Sequence, residues 1–500
     1  MTRCSGSRTI NLKVALHSLE EGVLPQSTFE ELARISLCQC TKDRNKAYAS
    51  RLYAVLHHAG LDVHKSLGNY LVPMLVEVGS ICDAQVVFDR LVYRNDWSWN
   101  ALISGYVKCS KLHHAFSLYE KMQKELTVRP NEHTFLPLLK GCANSKDLEK
   151  GIKIHGAIGR VERFKRNIFL GTTLIDMYMK CGSLSKAQQM FDTLPRRDIV
   201  SWNALIMGYA DHGHGKEALK CFEDMEHEGF SPNNTTFVGI LKACGSIIEI
   251  NKGQEIHAQI DQNGLLEKDI VVGNALIDMY VKCGSLNKAE EVFSKLPFRD
   301  VVAWTTLIAG YSEHGQGEKA LDCFEHMQIE GVSPDAIAFV CSLKACSDIV
   351  AIDKGQQMHA DIERKGMLSK SDFIGRTLVD MYAKCGLVQK AQEVFDRLPV
   401  HNVVSWTALI GGYIEYGHSL KALEAFELMQ FEAISPDAVT FVCALKSCAG
   451  MRAVVKGQEI HVEVERMGLL KSNLILGNAL VDMYAKCGLM DLSQEVFDEL

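Results

Sequence analysis

Proline is scarce in this chain, ten residues in 500, and with 38 glycines it leaves no room for a long disordered or collagen-like tract. Uninterrupted apolar runs are also missing. Charges break the hydrophobic stretches before any reaches the length of a membrane span, so the sequence offers no transmembrane helix. There is no basic excess: the formal net charge is −7, which argues against a generic nucleic-acid coat and requires any such affinity to come from locally placed cations and base contacts. Nor is there a CxxC pair among the 17 cysteines, the nearest approach being Cys38 and Cys40. That removes the usual zinc and thiol-redox signatures, and an odd, unpaired set points to a reducing compartment.

What the cysteines do have is a period. Cys142, Cys244, Cys346 and Cys448 lie 102 residues apart, and so do Cys181, Cys283, Cys385 and Cys487. Trp202, Trp304 and Trp406 keep the same interval, with Trp99 one residue out of step, and His155, His257, His359 and His461 keep it without a slip. Residues repeated once per structural unit are packing residues first, and a cysteine in that role behaves as a small apolar side chain.

The interval is too long for one supersecondary unit and divides into segments of 35, 36 and 31 residues. The triplets are 96–131, 132–167 and 168–198; 199–233, 234–269 and 270–300; 301–335, 336–371 and 372–402; then 403–437, 438–473 and 474–500. The first triplet carries one inserted residue near Val128, and the last segment ends four residues short of its counterpart. A looser long segment, 26–64, and a short one, 65–95, precede them, making about fourteen units. Residues 1–25 stand apart; Arg3, Arg8 and Lys13 with no acid before Glu20 give them the character of an organellar presequence.

Each unit reads as two helices. In 270–300, Ala275, Leu276, Met279 and Tyr280 form one apolar stripe, Gly284 suits a left-handed helix end, and Ser285 is placed to cap a second helix. Its apolar face is Leu286, Ala289, Val292, Phe293 and Leu296, and Pro297 stops it. One hairpin cannot bury both apolar faces, but stacked neighbours share a core, so the expected fold is an all-α, right-handed α-solenoid superhelix of helix-turn-helix repeats.

The phrases WNALISGY (99–106), NALIDMYVKCGSLNKAEEVF (274–293) and WTALIGGY (406–413) closely resemble the plant pentatricopeptide repeat family, in its subclass that alternates normal, long and short motifs. The resemblance covers residues 26–500. It implies sequence-specific binding of single-stranded RNA in mitochondria or chloroplasts, the mitochondrion being the first expectation and the chloroplast the alternative, with roles in RNA processing such as C-to-U editing. Editing-complex proteins would join through a C-terminal region beyond this sequence.

In that family the fifth and the last residue of a unit read one base. Carried over residue by residue, the pairs are Asn69 with Asn95, Asn100 with Asn131, Thr172 with Asp198, Asn203 with Asn233, Asn274 with Asp300, Thr305 with Asp335, and Thr407 with Asp437. Asn478 lacks its partner, and Arg376 with Asn402 departs from the pattern. Two polar side chains flanking one space can bond the edge of an unstacked base. Asn and Thr also simply favour helix starts, yet long units carry Leu136, Val238, Val340 and Val442 at the fifth place. By resemblance, Thr with Asp prefers guanine, Asn with Asp uracil and Asn with Asn a pyrimidine. The expected target is Y-Y-?-G-Y-?-U-G-?-?-G from the unit at residue 65.

The second residue of each unit is apolar, as in Val200, Val271, Val302 and Val404, with Trp97, Phe169, Phe373 and Ile475; it either stacks on a base or packs between units. Lys108, Lys180, Lys282, Lys384 and Lys486 share a place near the end of a first helix, where a cation meets phosphate or offsets the helix dipole. His461-Val-Glu463 spells the HxE of a cytidine deaminase, but no CxxC follows, so no catalysis, metal or cofactor is expected. The competing reading is a tetratricopeptide-like scaffold that grips peptides, which the acidic balance favours.

Replacing Thr305 by Asn is expected to move base preference from guanine to pyrimidine at one site only, by about 1–3 kcal/mol, the worth of a good bidentate base contact. Competition binding with RNAs that differ at that single base measures it.

Overall fold

The computed structural model describes residues 12–21, 25–64, 67–125, 128–368, 371–470 and 473–500, and every regular element among them is a helix. The helices cluster into two compact units, one ending at Ile247 and one beginning at Ile248, and each is described by itself.

In the second unit the hairpins follow one another at the spacing of the sequence segments. Residues 301–335 hold Val301–Glu313 and Gly317–Ile329, residues 336–371 hold Ala336–Ile349 and Ile352–Arg364, and residues 372–402 hold Asp372–Lys384 and Val388–Asp396. Each first helix packs on the first helix of the next hairpin as well as on its own partner, so the first helices form one layer and the second helices another. The first unit repeats the arrangement, for example with Asp96–Lys108 and Leu112–Lys124 followed by Glu132–Ser145 and Leu148–Gly159. Part of the N-terminal segment read as a presequence is helical too: Leu12–Glu20 packs on Gln26–Asp43, and Arg51 forks onto the Glu20 carboxylate at 2.7 and 2.9 Å.

The helix signals act largely as their chemistry requires. Leu286, Ala289, Val292, Phe293 and Leu296 are buried, and Gly284 adopts φ 71°. One expectation fails. Ser285 occupies the position before Leu286–Lys295, but its hydroxyl makes no capping bond. The turn from Lys282 to Ser285 satisfies itself through backbone bonds, Gly284 N to Val281 O and Ser285 N to Tyr280 O, both 2.9 Å, and the second helix starts without a side-chain cap.

Two of the three seams in a triplet are closed chiefly by packing, each at its own place. A short unit's second helix meets the next normal unit through edge-to-face rings, with centroids 4.5 Å apart for Phe191–Trp202 and for Phe395–Trp406, and 4.6 Å for Phe293–Trp304. Arg299 lies over the Phe293 ring, donates to the Phe293 carbonyl and pairs with Glu330 at 2.9 Å, which ties the short unit's second helix to the end of the next unit's second helix. A long unit meets the following short unit through a histidine–tyrosine bond: His155–Tyr178 at 2.7 Å, then His257–Tyr280, His359–Tyr382 and His461–Tyr484 at 2.9 Å. Beside it the backbones come close enough that a Cβ on Gly151, Gly253, Gly355 or Gly457 would sit 2.4–2.7 Å from the sulfur of Met177, Met279, Met381 or Met483. The recurrent cysteines are packing groups, and burial pushes the Cys142 and Cys346 thiols up to about 12, so they stay protonated.

Burial holds the His155, His257 and His359 imidazoles below their ordinary range, so the folded state keeps them neutral where the unfolded chain has already taken up protons. Their contribution to stability is complete above the unfolded value of about 6.5 and is lost as pH falls through the lower folded values. The urea midpoint is therefore expected to drop between about pH 7 and pH 5, and His359→Gln should remove part of that slope.

Candidate nucleic-acid interface

The last residue of a unit sits at the start of the next first helix, and there its side chain has a structural task. Asp300 accepts the amide of Ala303 at 2.9 Å, Asp335 that of Ala338 at 2.8 Å and Asp437 that of Thr440 at 2.8 Å. Asn95 and Asp198 do the same for Ser98 and Ser201 at 2.9 and 2.8 Å, and Asn402 for Ser405 at 3.1 Å. These are helix N-caps, which satisfy amide donors that a helix start leaves unpaired. Long units end in such caps as well: Asn167 accepts from Leu170 at 3.2 Å and Asp269 from Val271 at 2.9 Å. An Asx residue at the unit end is thus explained by capping alone, a role that sequence reading missed. The polar fifth residue, absent from the four long units of the triplets, is not explained that way.

The structure brings most of the fifth and last residues together. Nδ2 of Asn100 donates to Oδ1 of Asn131 at 3.1 Å, and Nδ2 of Asn203 to Oδ1 of Asn233 at 3.0 Å. Nδ2 of Asn274 reaches both carboxylate oxygens of Asp300, at 3.1 and 3.3 Å, leaving the buried Oδ1 of Asn274 with no partner. The Thr305 hydroxyl lies 3.4 Å from Oδ1 of Asp335. Thr407 and Asp437 meet through Thr440, whose hydroxyl bonds each at 2.7 Å. Asn203 and Thr305 are only 8% exposed, so a ligand edge must replace bonds within the pair rather than meet free groups.

The remaining sites differ. Asn69 is 2% exposed and committed to backbone, donating to the Tyr93 carbonyl at 3.0 Å and accepting from the Asn95 amide at 3.1 Å. The Thr172 hydroxyl is buried with no hydrogen-bond partner, although Asp198 is on the next helix start. Asn478 is exposed, and Arg376 lies over the Phe373 ring with its guanidinium carbon 4.4 Å from the centroid.

A further set of residues was legible only as a 102-residue echo. Thr134, Thr236 and Thr440 sit three places after a unit's last residue and bond the fifth residue of that unit, as Thr236 does with Asn203 at 2.6 Å. Ala338 holds that place in the Thr305 unit, where the fifth and last residues bond directly.

The second residues of the units point to solvent. In the second unit Val271, Val302 and Val404 are 55–57% exposed, and Phe373 and Ile475 about 70%; in the first, Val200 and Phe169 are likewise exposed. Packing between hairpins does not account for such a row. Val404 lines two adjoining clefts of about 580 and 380 Å3, which share Asp380, Lys384 and Ala408. The larger also holds Thr407, Asp437 and Lys446, and the smaller Phe373, Arg376 and Lys344. One apolar side chain therefore separates two recesses, one of which holds a polar fifth–last pair.

The five lysines read as phosphate contacts are already paired. Lys180, Lys282, Lys384 and Lys486 bond the aspartate four residues earlier at 2.7–3.0 Å, and Lys108 bonds Glu77 at 2.7 Å. Another lysine series went unnoticed in the sequence. Lys140, Lys344 and Lys446 are exposed on long-unit first helices and form no ion pair among the described residues, while their counterpart Lys242 pairs with Asp211. The HxE pair is structural: His461 bonds Tyr484, and Glu463 accepts from Gln430 at 2.7 Å. No cluster of metal-ligating side chains occurs among the described residues.

The PPR repeat family matches residues 94–144, 197–246, 299–348 and 401–450, and the PPR repeat matches 172–199, 274–301, 376–403 and 478–500. The chain belongs to the pentatricopeptide repeat family. A chloroplastic pentatricopeptide repeat-containing protein of Arabidopsis thaliana is 33% identical over 99% of this chain and 56% of its own length. A second chloroplastic relative is 35% identical over 87% of the chain and 69% of its own, and a mitochondrial one 34% identical over 89% and 43%. The chain thus spans about half the length of some relatives and two thirds of another. The crystal structure of maize PPR10 superposes with a TM-score of 0.71 at 19% identity, covering 98% of this chain and 72% of that one, which places the fold among pentatricopeptide repeat solenoids.

Exposure separates the second residues from the scaffold beside them. Val302→Ala is expected to shift stability by less than about 0.5 kcal/mol, the range of ordinary surface substitutions. Trp304→Ala, at a buried ring pair, should cost about 3–5 kcal/mol. Denaturant titration of both variants checks the contrast.

Proposed function

We propose that this chain is a sequence-specific binder of single-stranded RNA in an organelle, the recognition part of a C-to-U editing factor in the subclass that alternates normal, long and short repeats. The observation that carries the reading is the pairing of fifth and last residues across unit boundaries, as in Asn203–Asn233 and Thr305–Asp335, beside exposed apolar second residues. An unstacked base inserted between Val302 and its neighbours would present its edge to such a pair, and stacking on side chains flanking the space would hold it.

The long units, with half-buried Val238, Val340 and Val442 at the fifth place, have no polar group there to read an edge; they act as spacers that carry Lys140, Lys344 and Lys446 to the phosphates. Relatives named chloroplastic and mitochondrial support an organellar site of action, with the mitochondrion retained as the first expectation. The alternative, a scaffold that grips peptides, fits the net charge of −7 but gives no reason for a polar fifth residue confined to normal and short units.

Selection from a randomised single-stranded RNA pool tests the reading. Enrichment of guanine opposite the Thr305 and Thr407 units and of uracil opposite the Asn274 unit is the expected outcome. Equal binding of double-stranded RNA, or no base preference at those places, would instead favour the scaffold. Raising salt should weaken binding in proportion to the phosphates contacted.

A further inference from the structure

A cavity of about 530 Å3 in the first unit has no part in the base-reading layer. It lies between the second helices Leu112–Lys124 and Leu148–Gly159 and includes no fifth or last residue of any unit. Its apolar wall is a run of three rings, Tyr119 to Phe135 at 6.1 Å and Phe135 to Phe164 at 5.7 Å between centroids, both edge-to-face. Arg129 and Arg160 line the same space, no acidic residue does, and neither arginine forms an ion pair among the described residues.

The other triplets show why the cavity exists here. At the place of Ala157 they carry Gln259, Asp361 and Glu463, and in the last two the side chain fills the space by accepting from Gln328 at 3.4 Å and Gln430 at 2.7 Å. With alanine there, Gln123 turns instead to the Tyr119 hydroxyl at 2.7 Å. Tyr119 is 6% exposed, and its hydroxyl accepts that bond while its own proton has no acceptor among the described residues. Ser231, Ser333 and Ser435 stand where this triplet has Arg129, and leucines (Leu266, Leu368, Leu470) where it has Phe164. One triplet has thus exchanged a carboxylate or amide for a void, a serine for a cation and a leucine for a ring.

We propose that this cavity binds a nucleoside monophosphate group, its planar base against Tyr119, Phe135 and Phe164 and its phosphate on Arg129 and Arg160. The volume is that of a small-ligand site. Two guanidiniums and an uncommitted phenol proton suit a dianion with several acceptor oxygens, and the rings supply the apolar surface that a bare phosphate does not use. The group comes either as a free nucleotide or as the 5′-phosphorylated end of an RNA strand.

Calorimetric titration of the whole chain with AMP, adenosine, inorganic phosphate and a 5′-phosphorylated trinucleotide tests the site. AMP is expected to bind at least about tenfold more tightly than adenosine or phosphate, since a charge-assisted contact or a buried ring is each worth about that factor. Ala157→Glu and Arg129→Ser install residues that sister repeats already accommodate, and each should weaken AMP at least about tenfold with an unchanged melting temperature. Asn203→Ala should leave AMP binding as it was, so loss of base reading and loss of this site are told apart. Tighter binding of the trinucleotide than of AMP assigns the strand end as occupant, and equal or weaker binding the free nucleotide. AMP no tighter than inorganic phosphate, or variants that bind as the parent chain does, would overturn the proposal.

Discussion

Oδ1 of Asp335 accepts the amide of Ala338, and the hydroxyl of Thr305 lies against the same oxygen. Asn233 repeats the arrangement with Thr236 and Asn203. A group that starts one helix is thereby held beside the fifth residue of the previous unit, and much else follows from that constraint. The cap fixes where the next hairpin begins, and so where its apolar faces fall. It also fixes the last residue's rotamer, so that the edge it presents is preorganised rather than found on binding. Folding and recognition draw on one side chain, which limits that position to residues able to cap.

Periodicity made the hairpins legible, because an apolar stripe that returns once per helical turn fits a helix and hardly any other conformation. The buried Phe–Trp pairs and the recurrent cysteines could be read as packing for the same reason. Partnering was not legible. Nothing in the spelling of the segment after Gly284 shows that backbone bonds alone close the turn and leave Ser285 without a capping role. The lysines at the ends of short-unit first helices looked like free cations until the aspartate one turn earlier was seen to hold each of them. Conversely, Lys344 and Lys446 drew no notice in the sequence, since a lysine on a helix is ordinary until its neighbours are known. The Asx residues at unit ends were seen as half of a pair, and their capping task emerged only with the backbone in place.

The seams differ in chemistry as well as in position. Between short and normal units, rings and an arginine make a largely apolar joint. Between long and short units, an imidazole shares a bond with a phenol and a glycine admits a methionine sulfur. Between normal and long units, the polar fifth–last pair occupies the boundary itself. The short–normal joint adds such a pair where Asn274 bonds Asp300, whereas the long–short joint has no fifth–last pair and is closed by burial. Two successive joints with polar readers are therefore followed by one long–short joint that cannot read.

Because the glycine–methionine approach pairs Gly151 with Met177 and recurs unchanged through Gly457 with Met483, the surfaces that meet at this joint are interchangeable from one triplet to another. Unequal crossing-over between gene copies that removed or added a whole period would leave every such joint with its proper counterpart. Loss of a single short segment would instead set a long unit's glycine-bearing surface against a tryptophan-bearing one. The length of such a chain can therefore change in evolution most readily in steps of three hairpins.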